Sequence, residues 1–90
     1  MTLVERLEEC ANVWARLSGR SLARLATIVM NDGKFFARLG QPNATTSAAT
    51  LERFARYLGD SSNWPDGTVP SEVIAFLQVT GVAQSSQAEA

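Results

Sequence analysis

The sequence predicts an all-α fold, a compact bundle of about five short helices. Apolar residues recur at intervals of three and four through most of the chain, which is the spacing of helices with one buried face. These stretches begin near serine, threonine or aspartate and end near glycine, as N-caps and C-termini of helices do. Strand-like alternation does not compete, apart from the weak β-branched pair Thr68-Val69.

The first two predicted helices are well delimited. The apolar stripe of the first consists of Leu3, Leu7, Cys10, Trp14 and Leu17. Thr2 is placed to cap this helix, with Glu5 as its capping-box partner, and Gly19 ends it. A second helix is predicted over about 21–29, with Ser21 at its N-cap.

A tight turn over 30–33 separates the second helix from a short third one. Asparagine, aspartate and glycine in succession favour such a turn. Asp32 is placed to cap the third helix, which is predicted over about 33–39 and is closed by Gly40. The two helices and the turn therefore form one compact unit.

Two further helices complete the prediction. Ser47 is a plausible N-cap for the fourth helix, and Gly59 terminates it. Residues 60–70 have the turn chemistry of a loop. Ser71 is placed to cap the fifth helix, whose pattern ends at Gly81.

Length and composition restrict the function classes. The 90 residues allow one domain, placed at 1–82, with a disordered tail of small and polar residues at 83–90. One cysteine and no histidine exclude a disulfide within the chain, a structural zinc cluster and a Ser-His-Asp triad. We therefore expect no enzymatic activity, no metal, no cofactor and no small-molecule substrate. No apolar run reaches the roughly 18 residues of a membrane span, and no secretory signal is evident, so a cytoplasmic protein without a membrane partner is expected.

The charge is strongly segregated along the chain. The formal net charge is only −1 and the pI is about 5.3. Residues 10–56, however, hold seven basic residues against two acidic ones, a net charge of +5, whereas residues 1–9 carry −2 and residues 57–90 carry −4. Fields act within a Debye length of ~8–10 Å, so the central segment is where an anionic partner is expected.

The third predicted helix separates its residue types by face. The large apolar side chains share one side: Phe35, Phe36 and Leu39. The other side carries only small and basic residues: Gly33, Lys34, Ala37 and Arg38. Such a face allows the close backbone approach that a helix needs in the DNA major groove, which is about 12 Å wide. A bidentate pair with guanine suits the arginine, and a base edge or a phosphate suits the lysine.

The run 21–39, SLARLATIVMNDGKFFARL, resembles the helix-turn-helix of lambda-repressor-like (XRE-type) DNA-binding domains of phage and mobile-element regulators. The Leu-Ala pair of the family's first motif helix corresponds to Leu25-Ala26, and the small residue of its recognition helix corresponds to Ala37. The family pattern of the following helix is matched by Ser47, Thr50, Leu51, Ala55 and Leu58. The resemblance covers about residues 3–59.

The resemblance implies two sets of DNA contacts. The expected base-reading positions are Gly33, Lys34, Ala37 and Arg38. The expected phosphate-binding residues are Arg20, Ser21, Arg24, Asn43, Thr45 and Thr46. The first three stand in for Leu22, which occupies the family's contact position with an apolar side chain. Thr45, Thr46 and Ser47 are first of all interpretable as a capping cluster for the fourth helix. In the functional interpretation, their hydroxyls and the N-terminus of that helix hold a phosphate.

These patterns predict a sequence-specific double-stranded DNA-binding protein, a small transcriptional regulator of prophage or mobile-element type. A homodimer on a pseudo-palindrome is expected, with 71–82 as the candidate dimer surface, although that segment is equally suited to folding onto its own core. The alternative is a helix-turn-helix fold used for protein contact, as in an antitoxin or adaptor. Convergence of the cations on one surface favours DNA, whereas their scattering or their pairing with acids favours protein contact. The cations in question are Arg20, Arg24, Lys34 and Arg38.

Overall fold

Five α-helices form the fold in the computed structural model, which describes residues 2–42 and 44–82. They are α1 (Leu3–Ser18), α2 (Leu22–Met30), α3 (Phe35–Leu39), α4 (Ala48–Leu58) and α5 (Ser71–Thr80). The all-α class predicted from the sequence is confirmed. The predicted tail, 83–90, and Asn43 lie outside the described residues.

Most helix ends form as the capping residues predict. The Thr2 hydroxyl accepts a hydrogen bond from the Glu5 N–H (3.1 Å), and the Glu5 carboxylate accepts one from the Thr2 N–H (3.2 Å), which completes a capping box. Gly19 ends α1 in the left-handed conformation, with φ 69°. Ser21 and Ser47 cap α2 and α4 through equivalent side-chain bonds.

The core lies where α1, α4 and α5 pack together, with α2 and α3 closing one side. Its fully buried large side chains are Leu7, Trp14, Leu25, Phe54, Leu58, Val73 and Phe76. Truncating one of these leucines to alanine should destabilise the fold by about 2–5 kcal/mol. The ends of the α1 stripe extend past this core, since Leu3 is 40% and Leu17 is 50% exposed.

The third helix begins later than predicted. It starts at Phe35 rather than Gly33, and Lys34 occupies its N-cap position without a side-chain cap bond. The predicted capping role of Asp32 is wrong, because its carboxylate accepts the N–H of Lys34 (3.1 Å) and its carbonyl accepts the N–H of Phe35 (3.2 Å). These bonds turn the chain tightly, so Gly33 and Lys34 lie in the turn before α3.

The loop between α4 and α5 is more ordered than its composition indicates. Residues Ser61–Asn63 form a short 3-10 helix whose N-cap, Asp60, accepts the N–H of Ser62 (2.9 Å). Two indoles fasten this segment: Trp14 donates to the Asn63 carbonyl (3.2 Å), and Trp64 donates to the Leu58 carbonyl (2.7 Å). The segment therefore belongs to the packed body of the protein.

Helix α5 corrects one sequence prediction. Ser71 is the first residue of the helix and not its cap, because Pro70, in an extended conformation, occupies the cap position. The candidate dimer segment 71–82 turns most of its apolar surface inward. Its residues in the chain's own core are Val73, Phe76 and Leu77. Ile74 and Val79 stay exposed, at 37% and 49%.

Candidate nucleic-acid interface

Helix α3 is oriented by three buried side chains. The rings of Phe35 and Phe54 stack with centroids 5.1 Å apart, and Phe36 meets Phe54 edge-on at 5.4 Å. Leu39 is buried in the same core. A helix of five residues cannot persist on its own hydrogen bonds, so this packing fixes its rotation. The side chains left exposed are those of Lys34, Ala37 and Arg38, as the face pattern predicts.

Gly33 lies where the turn passes close to α2. A Cβ at this position would lie 3.2 Å from Oγ1 of Thr27 and 3.8 Å from the carbonyl oxygen of Ala23. The Thr27 hydroxyl is held there because it donates a 2.9 Å hydrogen bond to that same carbonyl. Gly33 therefore lets the turn pack against α2, a structural role that the sequence pattern did not reveal.

Arg38 forms an ion pair with Asp32 in the turn that precedes its helix. Nη1 of Arg38 donates to Oδ1 of Asp32 at 3.3 Å, and Nη2 donates to Oδ2. The hydrogen bond from Arg38, followed by that from the Lys34 N–H, lowers the pKa of Asp32 below its ordinary value. The same bond raises the pKa of Arg38. Both groups are thus charged at neutral pH, and the pair carries no net charge.

Arg38 also lines a cavity that it shares with the segment leading to α4. The cavity measures about 280 Å³ and is lined by Phe35, Arg38, Leu39, Ala44 and Thr45. Thr45 is exposed and Thr46 is half-buried. Ser47, not these threonines, caps α4, since its hydroxyl accepts the Thr50 N–H (3.1 Å). Two predicted contact residues, Arg38 and Thr45, are therefore brought to one concave surface. Asn43 lies outside the described residues.

The other predicted phosphate-binding residues gather around the start of α2. Arg20 lines a pocket of about 410 Å³ together with Trp14, Tyr57 and Trp64. Burial raises the pKa of Tyr57, and the positive charges of Arg20 and Arg24 partly offset that rise. The Ser21 hydroxyl accepts the Arg24 N–H (3.1 Å) as the helix cap.

The basic side chains of the central segment fall into two groups, those with a bonding partner within the protein and those without an ion pair. Arg53 donates to the carbonyl of Val29 (2.9 Å), and Nη2 of Arg56 lies 3.6 Å from the carboxylate of Glu52. Within residues 2–42 and 44–82, Arg20, Arg24 and Lys34 form no ion pair, whereas Arg38 does. Of the four cations on which the choice between DNA and protein contact depends, three are unpaired within the described residues and one, Arg38, is paired with an acid.

Two kinds of site are not formed by the part of the chain that the structure describes. No group of three or more histidine, cysteine, aspartate or glutamate side chains is arranged to hold a metal ion there. None of the helices in that part has both the length and the apolar character required to cross a membrane.

Comparisons of the chain with known families, proteins and structures identify no relative. No protein-family model, curated protein or solved structure matches the chain. The exposed face of α3 and the arginines at the start of α2 are therefore interpreted from their own chemistry.

Proposed function

We propose that this protein binds double-stranded DNA sequence-specifically, with α3 as the element that enters the major groove. One observation carries the proposal: the turn before α3 exposes Lys34 and the helix itself exposes Ala37 and Arg38, while its three large side chains are buried. A surface of one small and two basic residues suits a groove lined by base edges and flanked by phosphates.

The proposed contacts follow from the chemistry of each group. Arg38 pairs with guanine, and Lys34 reaches a base edge or a phosphate. Arg20 and Arg24, near the N-terminus of α2, bind phosphates with the helix dipole in support. The cavity beside Arg38 has an apolar floor that includes Phe35, which suits the methyl group of a thymine.

The biological assignment belongs to the same proposal. The protein acts without catalysis or cofactor, as a cytoplasmic transcriptional regulator of prophage or mobile-element type. It binds a pseudo-palindrome as a two-fold dimer, because one module of this size makes few base contacts. Ile74 and Val79 are the apolar residues of 71–82 that remain available for such a contact.

Selection from a random pool of duplex oligonucleotides tests the proposal directly. We expect one enriched motif, bound with a log–log salt slope of about −3 to −5 per protomer. Arg24→Ala should weaken binding to every sequence alike and lessen that slope by about one. Lys34→Ala should also weaken binding, because it removes an unpaired cation from the α3 face. Failure to bind any duplex at low salt contradicts the proposal.

A second candidate function is contact with another protein, as an antitoxin or adaptor makes. The ion pair of Arg38 with Asp32 favours it, since a neutralised arginine attracts phosphate less strongly. The oligonucleotide selection separates the two functions. Protein contact predicts no enriched motif and no salt-dependent binding to random duplex.

A further inference from the structure

The ion pair between Asp32 and Arg38 leaves one edge of the guanidinium free. A guanidinium has five N–H donors in a rigid plane, which form an outer edge of two Nη atoms and a side edge of Nε and Nη2. Asp32 accepts from Nη1 at 3.3 Å and from Nη2, and so it occupies the outer edge. Within the described residues no acceptor is bonded to Nε.

Asp32 is itself held by the main chain. Its Oδ1 accepts the N–H of Lys34 at 3.1 Å, and its carbonyl accepts the N–H of Phe35 at 3.2 Å. Phe35 is buried in the core, so the bond from its N–H anchors the main chain of Asp32, and the bond from Lys34 holds the carboxylate. The ion pair with this carboxylate therefore fixes the orientation of the Arg38 guanidinium, which is otherwise exposed.

We propose that Asp32 is a positioning residue that determines specificity by presenting the free Nε–Nη2 edge of Arg38 to a single guanine. The side edge has the two parallel donors that O6 and N7 of guanine accept. Asp32 also opposes the alternative use of the arginine, because its negative charge repels a phosphate that approaches the same guanidinium. This inference rests on the proposed DNA-binding function.

Two variants at Asp32 and Arg38 test the inference, with a matched control. Asp32→Asn removes the carboxylate charge but keeps an oxygen that can accept the Lys34 N–H, so the turn is retained. Arg38→Lys keeps the charge but lacks the planar fork, and it alters an exposed side chain. Glu52→Gln is the control, because it removes the carboxylate of the other ion pair, Arg56–Glu52, with the same change in charge.

The measurement is the affinity of each variant for the selected duplex, for duplexes altered at one base pair at a time, and for random duplex. We expect Asp32→Asn to lose about tenfold discrimination at one G·C pair only. It should bind random duplex more tightly, with a salt slope steeper by about 0.9, because one negative charge is removed. Arg38→Lys should lose preference at the same base pair, and Glu52→Gln should keep it at every position.

The outcomes separate this inference from the function on which it rests. If the unaltered protein binds no duplex, both proposals are wrong. If it binds its selected site while Asp32→Asn keeps full discrimination, or loses it equally at all positions, only the role of Asp32 is refuted. Thermal unfolding of each variant identifies a loss that is due to the fold alone, and in an Arg38→Lys background Asp32→Asn should then change the preference at that base pair no further.

Discussion

The guanidinium of Arg53 in α4 donates a 2.9 Å hydrogen bond to the main-chain carbonyl oxygen of Val29 in α2. The carbonyls in the last turn of a helix lack partners within the helix. Arg53 therefore completes the C-terminal end of α2 from 24 residues away in sequence. This end of α2 leads directly into the turn that sets the position of α3.

Arg53→Ala is expected to lower the free energy of unfolding by about 0.5–1 kcal/mol, because a hydrogen bond is lost at a partly solvated carbonyl. Chemical unfolding with urea measures the change. Arg56→Ala is the matched control on the same helix. Its exposed pair with Glu52 should contribute less than about 0.5 kcal/mol. Equal losses in the two variants would contradict a specific role for Arg53.

The close approach of Gly33 to Thr27 predicts that the effect of Gly33→Ala on stability depends on the residue at position 27. Gly33→Ala should destabilise the fold by about 1 kcal/mol, since the added methyl displaces the Thr27 hydroxyl from its bond to Ala23. In a Thr27→Ala background the hydroxyl that an added Cβ would meet is absent. The same substitution should then be neutral or stabilising by about 0.4–1 kcal/mol through the unfolded chain.

Thermal unfolding of the two single variants and the double variant measures this coupling. Gly40→Ala is a suitable control, because Gly40 has a right-handed conformation with φ −76° and its nearest atom to an added Cβ is 3.6 Å away. Additive effects of the Gly33 and Thr27 substitutions would show that the close approach has no energetic consequence.

Most of the fold could be predicted from short-range sequence patterns, chiefly those that mark the ends of helices. The capping box of Thr2 and Glu5 and the caps at Ser21 and Ser47 involve residues three apart, so the sequence displays them directly. The start of α3 was misjudged because an aspartate can either cap a helix or bind the N–H two residues onward. Asp32 does the latter.

The candidate interface was less predictable, because its important contacts are not periodic. The buried side of α3, formed by Phe35, Phe36 and Leu39, follows from helical spacing and is confirmed by burial. The pair of Asp32 and Arg38, by contrast, spans six residues and crosses a turn, so no helix-face rule indicates it. The contact of Thr27 with Gly33 depends on how α2 and the turn pack, which spacing alone does not specify.

Cys10 is expected to be unreactive in the folded protein. The residue is 1% exposed and its thiol lies 3.4 Å from the carbonyl oxygen of Glu72. Burial, with a smaller contribution from Glu9, raises the pKa of Cys10 from 9.0 to about 12. A thiol reagent at pH 8 should therefore modify the protein only as fast as it unfolds.

The same shift predicts a dependence of stability on pH. Between pH 9 and about 12 the folded state keeps the proton of Cys10 that the unfolded state releases. Stability from this group is thus complete below pH 9 and falls as the pH rises, by at most about 1.4 kcal/mol per pH unit. The free energy of unfolding is measured against pH for the unaltered protein and for Cys10→Ala. The difference between the two profiles isolates the contribution of Cys10 from that of other groups that titrate at alkaline pH. Parallel pH profiles for the two would refute the assignment.

Ala37 offers the sharpest separation of DNA binding from folding. Its side chain is exposed on the face of α3 that is proposed to enter the groove, between the positions of Lys34 and Arg38. Leucine has nearly the helix propensity of alanine, so Ala37→Leu should change the free energy of unfolding by less than about 0.5 kcal/mol. Its bulk would nevertheless hold the helix backbone away from the base edges.

We therefore expect Ala37→Leu to abolish discrimination between the selected duplex and random duplex, while the weak salt-dependent binding through Arg20 and Arg24 persists. Ala37→Ser, which adds only a hydroxyl, should retain most of the discrimination. Fluorescence anisotropy with both duplexes, alongside thermal unfolding, measures the two effects separately. Full specificity in the leucine variant would show that this face of α3 does not enter the groove.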